Sequence, residues 1–304
     1  MSTPAQPVRV IVDTDGGLDD ALALVFLTRS PAVEVVAIGS VHGNVPADAA
    51  ARNTLRVLEL LETSVPVAEG AAAPLDREVQ YRHPEDPVGS LLGAPAGKPL
   101  DEPAAAQLLR LTRKAPGTLS LLMLGPLTNL ALALQQEPEL PALVDRVVVM
   151  GGVFTGEGNV SPVAETNIWS DPEAADQVLA AGFNLTLVGL DVTRQVQPTT
   201  EWLTKLAQDP LPWGNFAKLL AATSEDQRPP MPLHDPLAAA VLVRPDLVTC
   251  RAVPVAVELA SGAERGRIRS AAEGLAAIKA AEAVRVEDAL DVLIAALVPR
   301  SLAS

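Results

Sequence analysis

The chain is poor in cysteine, in positive charge, in aromatic residues and in long apolar runs. One cysteine, Cys250, occurs in 304 residues, so no intramolecular disulfide can form and the fold requires no oxidising compartment. Set in an apolar stretch, Cys250 reads as a small core residue. Lys and Arg number 23 against 37 Asp and Glu, a net charge of −14, which excludes a nucleic-acid partner because phosphates demand a basic surface. No apolar run approaches the roughly 18 residues of a membrane span, and residues 1–7 lack the basic and apolar regions of a signal peptide. A cytoplasmic protein without a membrane partner is expected. Aromatics make up 3% of the chain and include one tyrosine, Tyr81, so each that remains marks a packing or stacking position.

What the chain has is apolar bulk in an alternating pattern. With 48% apolar content it can bury a large core. Continuous apolar runs at 9–12, 33–38, 119–124, 146–150, 185–190 and 253–259 read as strands, and their lack of polar alternation suits a parallel sheet covered on both faces. Between them, helical periodicity predicts helices over 19–28, 47–62, 103–114, 130–136, 172–181, 200–208, 236–242 and 288–297. Strand and helix alternating from end to end give an α/β fold: an open, doubly wound, mostly parallel sheet flanked by helices on both faces. No linker divides it, so residues 1–304 are expected to form a single domain. Residues 71–99, rich in proline and glycine, and residues 224–232 fit neither pattern. Loops this long serve as binding loops or as plain surface excursions; here they are expected to border the active site.

One stretch stands out for its charge. Asp13-Thr14-Asp15-Gly16-Gly17-Leu18-Asp19-Asp20 follows the first apolar run and precedes the first helical pattern. Its carboxylates therefore occupy a turn at the carboxyl end of a strand, where α/β sheets form their ligand sites. Two unit charges about 4 Å apart repel by roughly 4 kcal/mol at an effective dielectric near 20. A helix N-terminus offsets only about 0.3–1 kcal/mol of this. A divalent cation supplies the rest, and an all-oxygen set without thiols or clustered histidines suits Ca²⁺ or Mg²⁺ rather than Zn²⁺. The simpler reading is that Asp13 or Asp15 caps the helix while Asp19 and Asp20 decorate its first turn; four aspartates so close together argue for the ion.

Further polar clusters follow the later strands: Val41-His42-Gly43-Asn44, Leu124-Gly125-Pro126-Leu127-Thr128-Asn129, Met150-Gly151-Gly152, Gly158-Asn159, Glu165-Thr166-Asn167, Asp171-Pro172-Glu173 and His234-Asp235-Pro236. Singly, each has an ordinary explanation: Asn44 and Asn159 as turn residues, Thr128 or Asn129 and Asp235 as helix caps. Together, in this order over residues 8 to about 240, they resemble the nucleoside hydrolases of the inosine/uridine type. The hallmark of that family, Asp-x-Asp-x-Gly-x-Asp-Asp, is met by Asp13, Asp15, Gly17, Asp19 and Asp20. The resemblance implies a Ca²⁺-dependent enzyme that hydrolyses the N-glycosidic bond of ribonucleosides to free base and ribose. It implies that Asp15, Asp20, Asp235 and the backbone carbonyl of Leu124 hold the ion. Asp19, Asn159, Glu165, Asn167 and Asp235 are implied to bind the ribose, with Asn44, Met150 and His83 completing the substrate site. Asp15 is implied as the general base toward the attacking water and His234 as proton donor to the departing base, while Asp19 and Glu165 stabilise the positive charge that develops on the sugar. The family also tends to form homodimers or homotetramers.

Several positions depart from the family pattern. Gly16 stands where proline is usual and is expected to take the same turn. Thr166 stands where an aromatic residue packs against the sugar. His83-Pro84 replaces His-Gly, leaving His83 to reach the base or to sit in solvent. Residues 224–232 hold no tyrosine, so Tyr81, Trp213 and Phe216 are the remaining stacking candidates, and nucleobase preference is not readable. Two other functions stay open. Asp13-Thr14-Asp15-Gly16 also resembles the opening motif of haloacid-dehalogenase-type Mg²⁺ phosphatases, although Gly17 takes the place of the threonine and no Gly-Asp-x-x-x-Asp follows. Thr166 and the altered loops suit a non-catalytic ribose-binding relative.

Overall fold

Along β1 (Val8–Thr14), Val10 and Val12 pack into one apolar layer and Ile11 into another, because successive side chains of a strand leave opposite faces. β4 (Ser120–Met123) repeats the division, with Leu122 in the first layer and Leu121 and Met123 in the second. A strand that is apolar at every position is satisfied when helices cover both faces. The computed structural model describes residues 6–207, 231–271 and 276–298. Residues 224–230 of the second expected loop, with Trp213 and Phe216, lie outside the described residues.

The other strands are β2 (Val33–Ser40), β3 (Val67–Ala68), β5 (Val147–Met150), β6 (Leu185–Val188), β7 (Val248–Val257), β8 (Ile268–Ser270) and β9 (Ala277–Val284). They form a nine-stranded sheet in the order β3-β2-β1-β4-β5-β6-β9-β7-β8. Pairing is parallel from β3 to β9 and antiparallel where β7 meets β9 and β8. The helices are α1 (Leu18–Arg29), α2 (Ala47–Leu60), α3 (Pro87–Leu92), α4 (Ala104–Lys114), α5 (Thr128–Gln136), α6 (Leu140–Leu143), α7 (Thr166–Ser170), α8 (Pro172–Ala180), α9 (Leu190–Thr193), α10 (Thr200–Ala207), α11 (His234–Val243) and α12 (Val286–Leu297). Residues of α1, α11 and α12 fill the first apolar layer, and those of α4, α5 and α8 the second. This is the expected open, doubly wound, mostly parallel architecture. The chain starts in the middle, winds out through β2 to β3, and returns to β4 on the other side of β1. The reversal between β1 and β4 opens the crevice in which such sheets bind ligands.

Among the details that differ from the sequence expectations, three bear on the sheet. β9 was not expected, because Ala-Ile-Lys-Ala-Ala-Glu-Ala-Val has the composition of a helix; pairing with β6 and β7 overrides that weak local preference. The run at 185–190 stops as a strand at Val188, and Leu190 already begins α9. Cys250 is exposed rather than buried, since β7 is irregular between Thr249 and Cys250 and Thr249, Cys250 and Arg251 form an exposed stretch of it.

Gly16 also corrects an expectation. Its φ is +75°, which a proline ring locked near −65° cannot reach, so this is not the turn that proline makes. A Cβ on Gly16 would stand 2.6 Å from the Cα of Ala50, against the backbone of α2. Gly16→Ala is therefore expected to cost about 2–4 kcal/mol from left-handed strain and overpacking, read as a lower urea midpoint. An unchanged midpoint would show that the turn is built differently.

Candidate active site

The turn after β1 separates its aspartates by what each touches. Asp13, still within the strand, accepts from Asn129 Nδ2 at 2.9 and 3.1 Å, and the same amide reaches the Ser40 carbonyl at 2.7 Å. It ties β1 to α5. Asp20 reaches back over the helix start: Oδ2 accepts from Gly17 N at 3.0 Å, and Oδ1 from the Thr14 hydroxyl at 2.5 Å and Asp15 N at 3.3 Å. The N-cap of α1 is Gly17, so the reading of Asp13 or Asp15 as the cap fails. Likewise the N-caps of α5 and α11 are Leu127 and Leu233. Thr128 instead donates to Asp171 Oδ2 at 2.7 Å and lies 3.0 Å from His42 Nε2, and Asn129 is committed to Asp13. Burial and the charge of Arg77 hold the His42 imidazole down to about 4.

Asp15 is oriented from the end of β2. Its Oδ2 accepts from Asn44 N at 2.7 Å and its Oδ1 from Asn44 Nδ2 at 2.8 Å. A Cβ on Gly43 would stand 2.2 Å from Asp15 Oδ2, which explains the glycine before Asn44. From the far end of the chain, α11 places Asp235 in its first turn. One carboxylate oxygen each of Asp19, Asp20 and Asp235 lie within 4.8 Å of one another. Asp15, Asp20 and Asp235 are all buried. Burial pushes their carboxyls up, and the charges of the neighbouring aspartates push them further. The three carboxylates that meet, with Asp15 buried beside Asp20, fit a hard cation, because the hydrogen bonds from Asn44, Thr14 and Gly17 offset only part of their desolvation and mutual repulsion. The Leu124 carbonyl, beyond β4, accepts from Asn167 Nδ2 at 2.7 Å and keeps a second lone pair for an ion.

A cavity of about 370 Å³ opens above this cluster, within the range of small-molecule sites. Asp19, Leu124 and Asp235 form part of its wall, as do Asn44, Met150 and Asn159. Glu165, Asn167, His83 and His234 line it as well. Asp15 and Asp20 lie outside its lining, beneath Asn44 and the start of α1. Glu165 is the N-cap of α7; its carboxylate accepts from Asn167 N at 2.8 Å, Ile168 N at 3.1 Å and Gly152 N at 3.0 Å. Burial still raises it, against these three donors. Asn159 Oδ1 accepts from Thr166 N at 2.9 Å and from the Thr166 hydroxyl at 3.0 Å. His234 Nδ1 lies 2.7 Å from Thr193 Oγ1, and burial, together with Arg194 and Arg82, lowers its pKa against the pull of Asp19. His83 is half-buried on the wall, its backbone N–H donating to the Asn44 carbonyl at 2.8 Å.

Sequence reasoning missed Arg82, Arg194 and Thr193. A usable signal was present for the arginines: Arg82 precedes His83, and Arg194 lies four residues beyond the apolar run at 185–190 in a chain short of cations. A larger cleft of about 620 Å³ lies among the C-terminal parts of α1, α11 and α12, lined by Phe26, Arg29, Val243 and Ala296 among others. Among the described residues no carboxylate lines it, so chemistry rather than size marks the site.

A profile of the family described as inosine-uridine preferring nucleoside hydrolase matches residues 10–293. A probable uridine nucleosidase from Oryza sativa subsp. japonica is 38% identical over 265 residues, covering 82% of this chain and 81% of that protein. A non-specific ribonucleoside hydrolase, RihC, from Salmonella agona is 37% identical over 260 residues, covering 83% of each. Among solved structures, a plant nucleoside hydrolase superposes with a TM-score of 0.87 at 30% identity, covering 96% of this chain and 99% of that one. A purine-preferring ribonucleoside hydrolase from Gardnerella vaginalis gives 0.87 at 28%, covering 95% and 98%. With the sheet reversal, the acidic cluster and the cavity in one place, the chain belongs to the family of inosine-uridine preferring nucleoside hydrolases.

Proposed function

We propose that this nucleoside hydrolase cleaves the N-glycosidic bond of ribonucleosides with a bound Ca²⁺ ion, releasing free base and ribose. The observation that carries the reading is the meeting of Asp19 and Asp20 with Asp235 within 4.8 Å. Asp15, Asp20, Asp235 and the Leu124 carbonyl are the residues that would hold the ion, an all-oxygen set whose flexibility suits calcium better than the strict octahedron of magnesium. When bound, the ion supplies charge stabilisation and an anchor for sugar oxygens. Asp15, oriented by Asn44 and made more basic by its surroundings, takes the proton from the water that attacks the anomeric carbon. Asp19, Asn159, Glu165 and Asn167 hold the ribose. The charges of Asp19 and Glu165 favour the positive character that develops on the sugar. His234 and His83 face the base.

On this reading residues 1–304 act as one domain, and the stretches 71–99 and 224–232 serve as active-site loops. Support comes from Arg82 and His83 of the first, and Met231 and Pro232 at the end of the second, all of which line the cavity. No helix among the described residues is long and apolar enough to cross a membrane, and a cytoplasmic homodimer or homotetramer is the proposed working form, to be checked by light scattering. The family match leaves the phosphatase and binding-only readings without support.

Incubating the protein with calcium and a panel of purine and pyrimidine nucleosides should release reducing sugar from at least one. Uridine is the first to test, given the names of the plant relatives. No ribose above background from any of them would overturn the proposal.

A further inference from the structure

The carbonyl of Gly16 and the N–H of Gly17 belong to one peptide unit, and both ends of it are held. Gly17 N donates to Asp20 Oδ2 at 3.0 Å, and the Gly16 carbonyl accepts from Asn53 Nδ2 at 3.1 Å. A peptide unit is planar, so fixing its oxygen also fixes the direction of its N–H. Asn53 is buried and lies on α2 one turn beyond Ala50, the residue against which the Gly16 turn rests. Its amide has a single orientation open to it. Arg56 Nη1 donates to Oδ1 at 2.5 Å, which leaves the two N–H groups for the Gly16 carbonyl and for Asp86 Oδ1, the latter at 2.8 Å.

Asp86 brings in the first active-site loop. It caps α3, accepting from Gly89 N at 2.8 Å, and its own N–H donates to the His83 carbonyl at 3.0 Å. Its φ is +45°, a conformation that a residue other than glycine keeps only where its surroundings hold it. Earlier in the same loop, Arg82 N donates to the Gly43 carbonyl at 3.1 Å and His83 N to that of Asn44, and Asn44 in turn holds both oxygens of Asp15. Residues 82–86 therefore grip the turn after β1 twice: through Asn44 at Asp15, and through Asn53 at the peptide from which Asp20 hangs. Fastening the loop to α2 needs only Asp86 and Arg56, which stand 3.9 Å apart. The second N–H of Asn53 goes to the turn instead. Resting on the hydrolase reading above, we infer that Asn53 is a positioning residue which, with Asp86, couples the loop at 71–99 to the acidic turn. While the bridge is intact, Asp15 and Asp20 stay where the ion and the attacking water need them; once it is cut, the Gly16–Gly17 peptide can rotate and the loop can lift. Such coupling is reciprocal. What orders the turn also orders the loop, so calcium alone shields residues 82–86.

Wild type is compared with the Asn53→Leu, Asp86→Gly and Asp86→Asn variants and with the double variant Asn53→Leu/Asp86→Gly. The readouts are calcium calorimetry, kcat and KM at saturating calcium on the nucleoside that wild type cleaves fastest, a urea midpoint, and tryptic cleavage after the exposed Arg82 with and without calcium. Glycine removes the carboxylate and is at ease at φ +45°, whereas asparagine tolerates the same backbone and keeps an acceptor for Asn53. Asn53→Leu and Asp86→Gly are each expected to weaken calcium binding about 10–100-fold, the scale of lost support behind a metal ligand. Their kcat should fall by up to about 10²-fold, the effect of a small misplacement of reacting groups, and by more than KM rises. Asp86→Asn should recover most of the loss. The double variant should lose no more than Asn53→Leu alone, since one bridge is cut in both. Calcium should slow cleavage after Arg82 in wild type and in neither bridge-cut variant. A lower urea midpoint with unchanged calcium affinity and kcat would reduce Asn53 to a packing residue and overturn the coupling. So would losses that multiply in the double variant, or Asp86→Asn as impaired as Asp86→Gly. Should Asn53→Leu not fold, Asp86→Gly decides alone. Wild-type protein that binds no calcium and cleaves no nucleoside brings down the hydrolase reading as well, whereas wild-type turnover that Asn53→Leu and Asp86→Gly both retain sinks the coupling only.

Discussion

Asp235→Asn is expected to lower kcat/KM on nucleosides by on the order of 10³-fold or more, the several kcal/mol that an ion site contributes to a developing charge. The same change should stabilise the calcium-free protein. Asp235 is buried, and its carboxyl is pushed up first by that burial and then by Asp19, Asp20 and Asp15. Asparagine keeps the volume of the side chain while deleting the charge. At the 4.8 Å limit on the separation of these oxygens, relief of repulsion at an effective dielectric near 20 gives a gain of about 1–3 kcal/mol, after allowing for partial protonation of the cluster. Ribose release, calcium calorimetry and a melting curve in chelator read the three effects on one variant. Turnover within about tenfold of wild type, with calcium affinity intact, would remove Asp235 from the site.

The two halves of this cluster differ in how far they can be read from the chain alone. Asp15, Asp19 and Asp20 sit on one continuous strand, turn and helix, so their convergence follows from local geometry. The role of Asp13 does not: the same run that supplies the others places it one step earlier, inside β1, where Asn129 takes it up. That contact depends on the pairing of β1 with β4, which no local pattern announces. Asp235 came into view only through the His-Asp-Pro motif of the family. Arg82 and Arg194 were missed because the first is brought to the cavity by a loop and the second caps the short α9, placements set by long-range contacts such as Arg82 N to the Gly43 carbonyl.

The sheet follows the same logic. Strands buried on both faces, such as β1, β4 and β5, carry the uninterrupted apolar runs that betray them. β9 is rich in alanine and carries Lys279 and Glu282, and its burial alternates only from Ala277 to Ala280; it is a strand because β6 and β7 flank it, not because of its composition. The Gly16 turn gives the converse case. The motif position was right, but the backbone conformation behind it was not the one that the usual proline imposes.

Withdrawing calcium with a chelator should suppress ribose release by about 10³-fold or more, with recovery on adding Ca²⁺ and little on adding Mg²⁺. It should also leave a pH signature whose sign follows from the raised carboxyls. In the ion-free fold Asp15, Asp20 and Asp235 titrate above the ordinary value of 3.8. The folded chain therefore holds protons that the unfolded chain has released. Their contribution to stability is complete below about 3.8 and is lost as pH rises through the raised values, so ion-free stability declines toward neutrality. A bound cation replaces those protons and cancels the decline. At calcium a hundredfold over its dissociation constant the gain is about 2.7 kcal/mol, or about 5 °C for a chain of this size, and the gap between loaded and chelated protein should widen as pH rises above 3.8 through the raised values. His42, held down to about 4, has the opposite sign: its contribution is present above 6.5 and lost as pH falls through 4. It does not touch the ion set and cancels in the gap. His234, also lowered, adjoins Asp235, so the part of the curve above 6.5, where both histidines are neutral, reports the carboxyls alone. A gap that stays constant or narrows with rising pH would mean that these aspartates are not deprotonated by an ion they share.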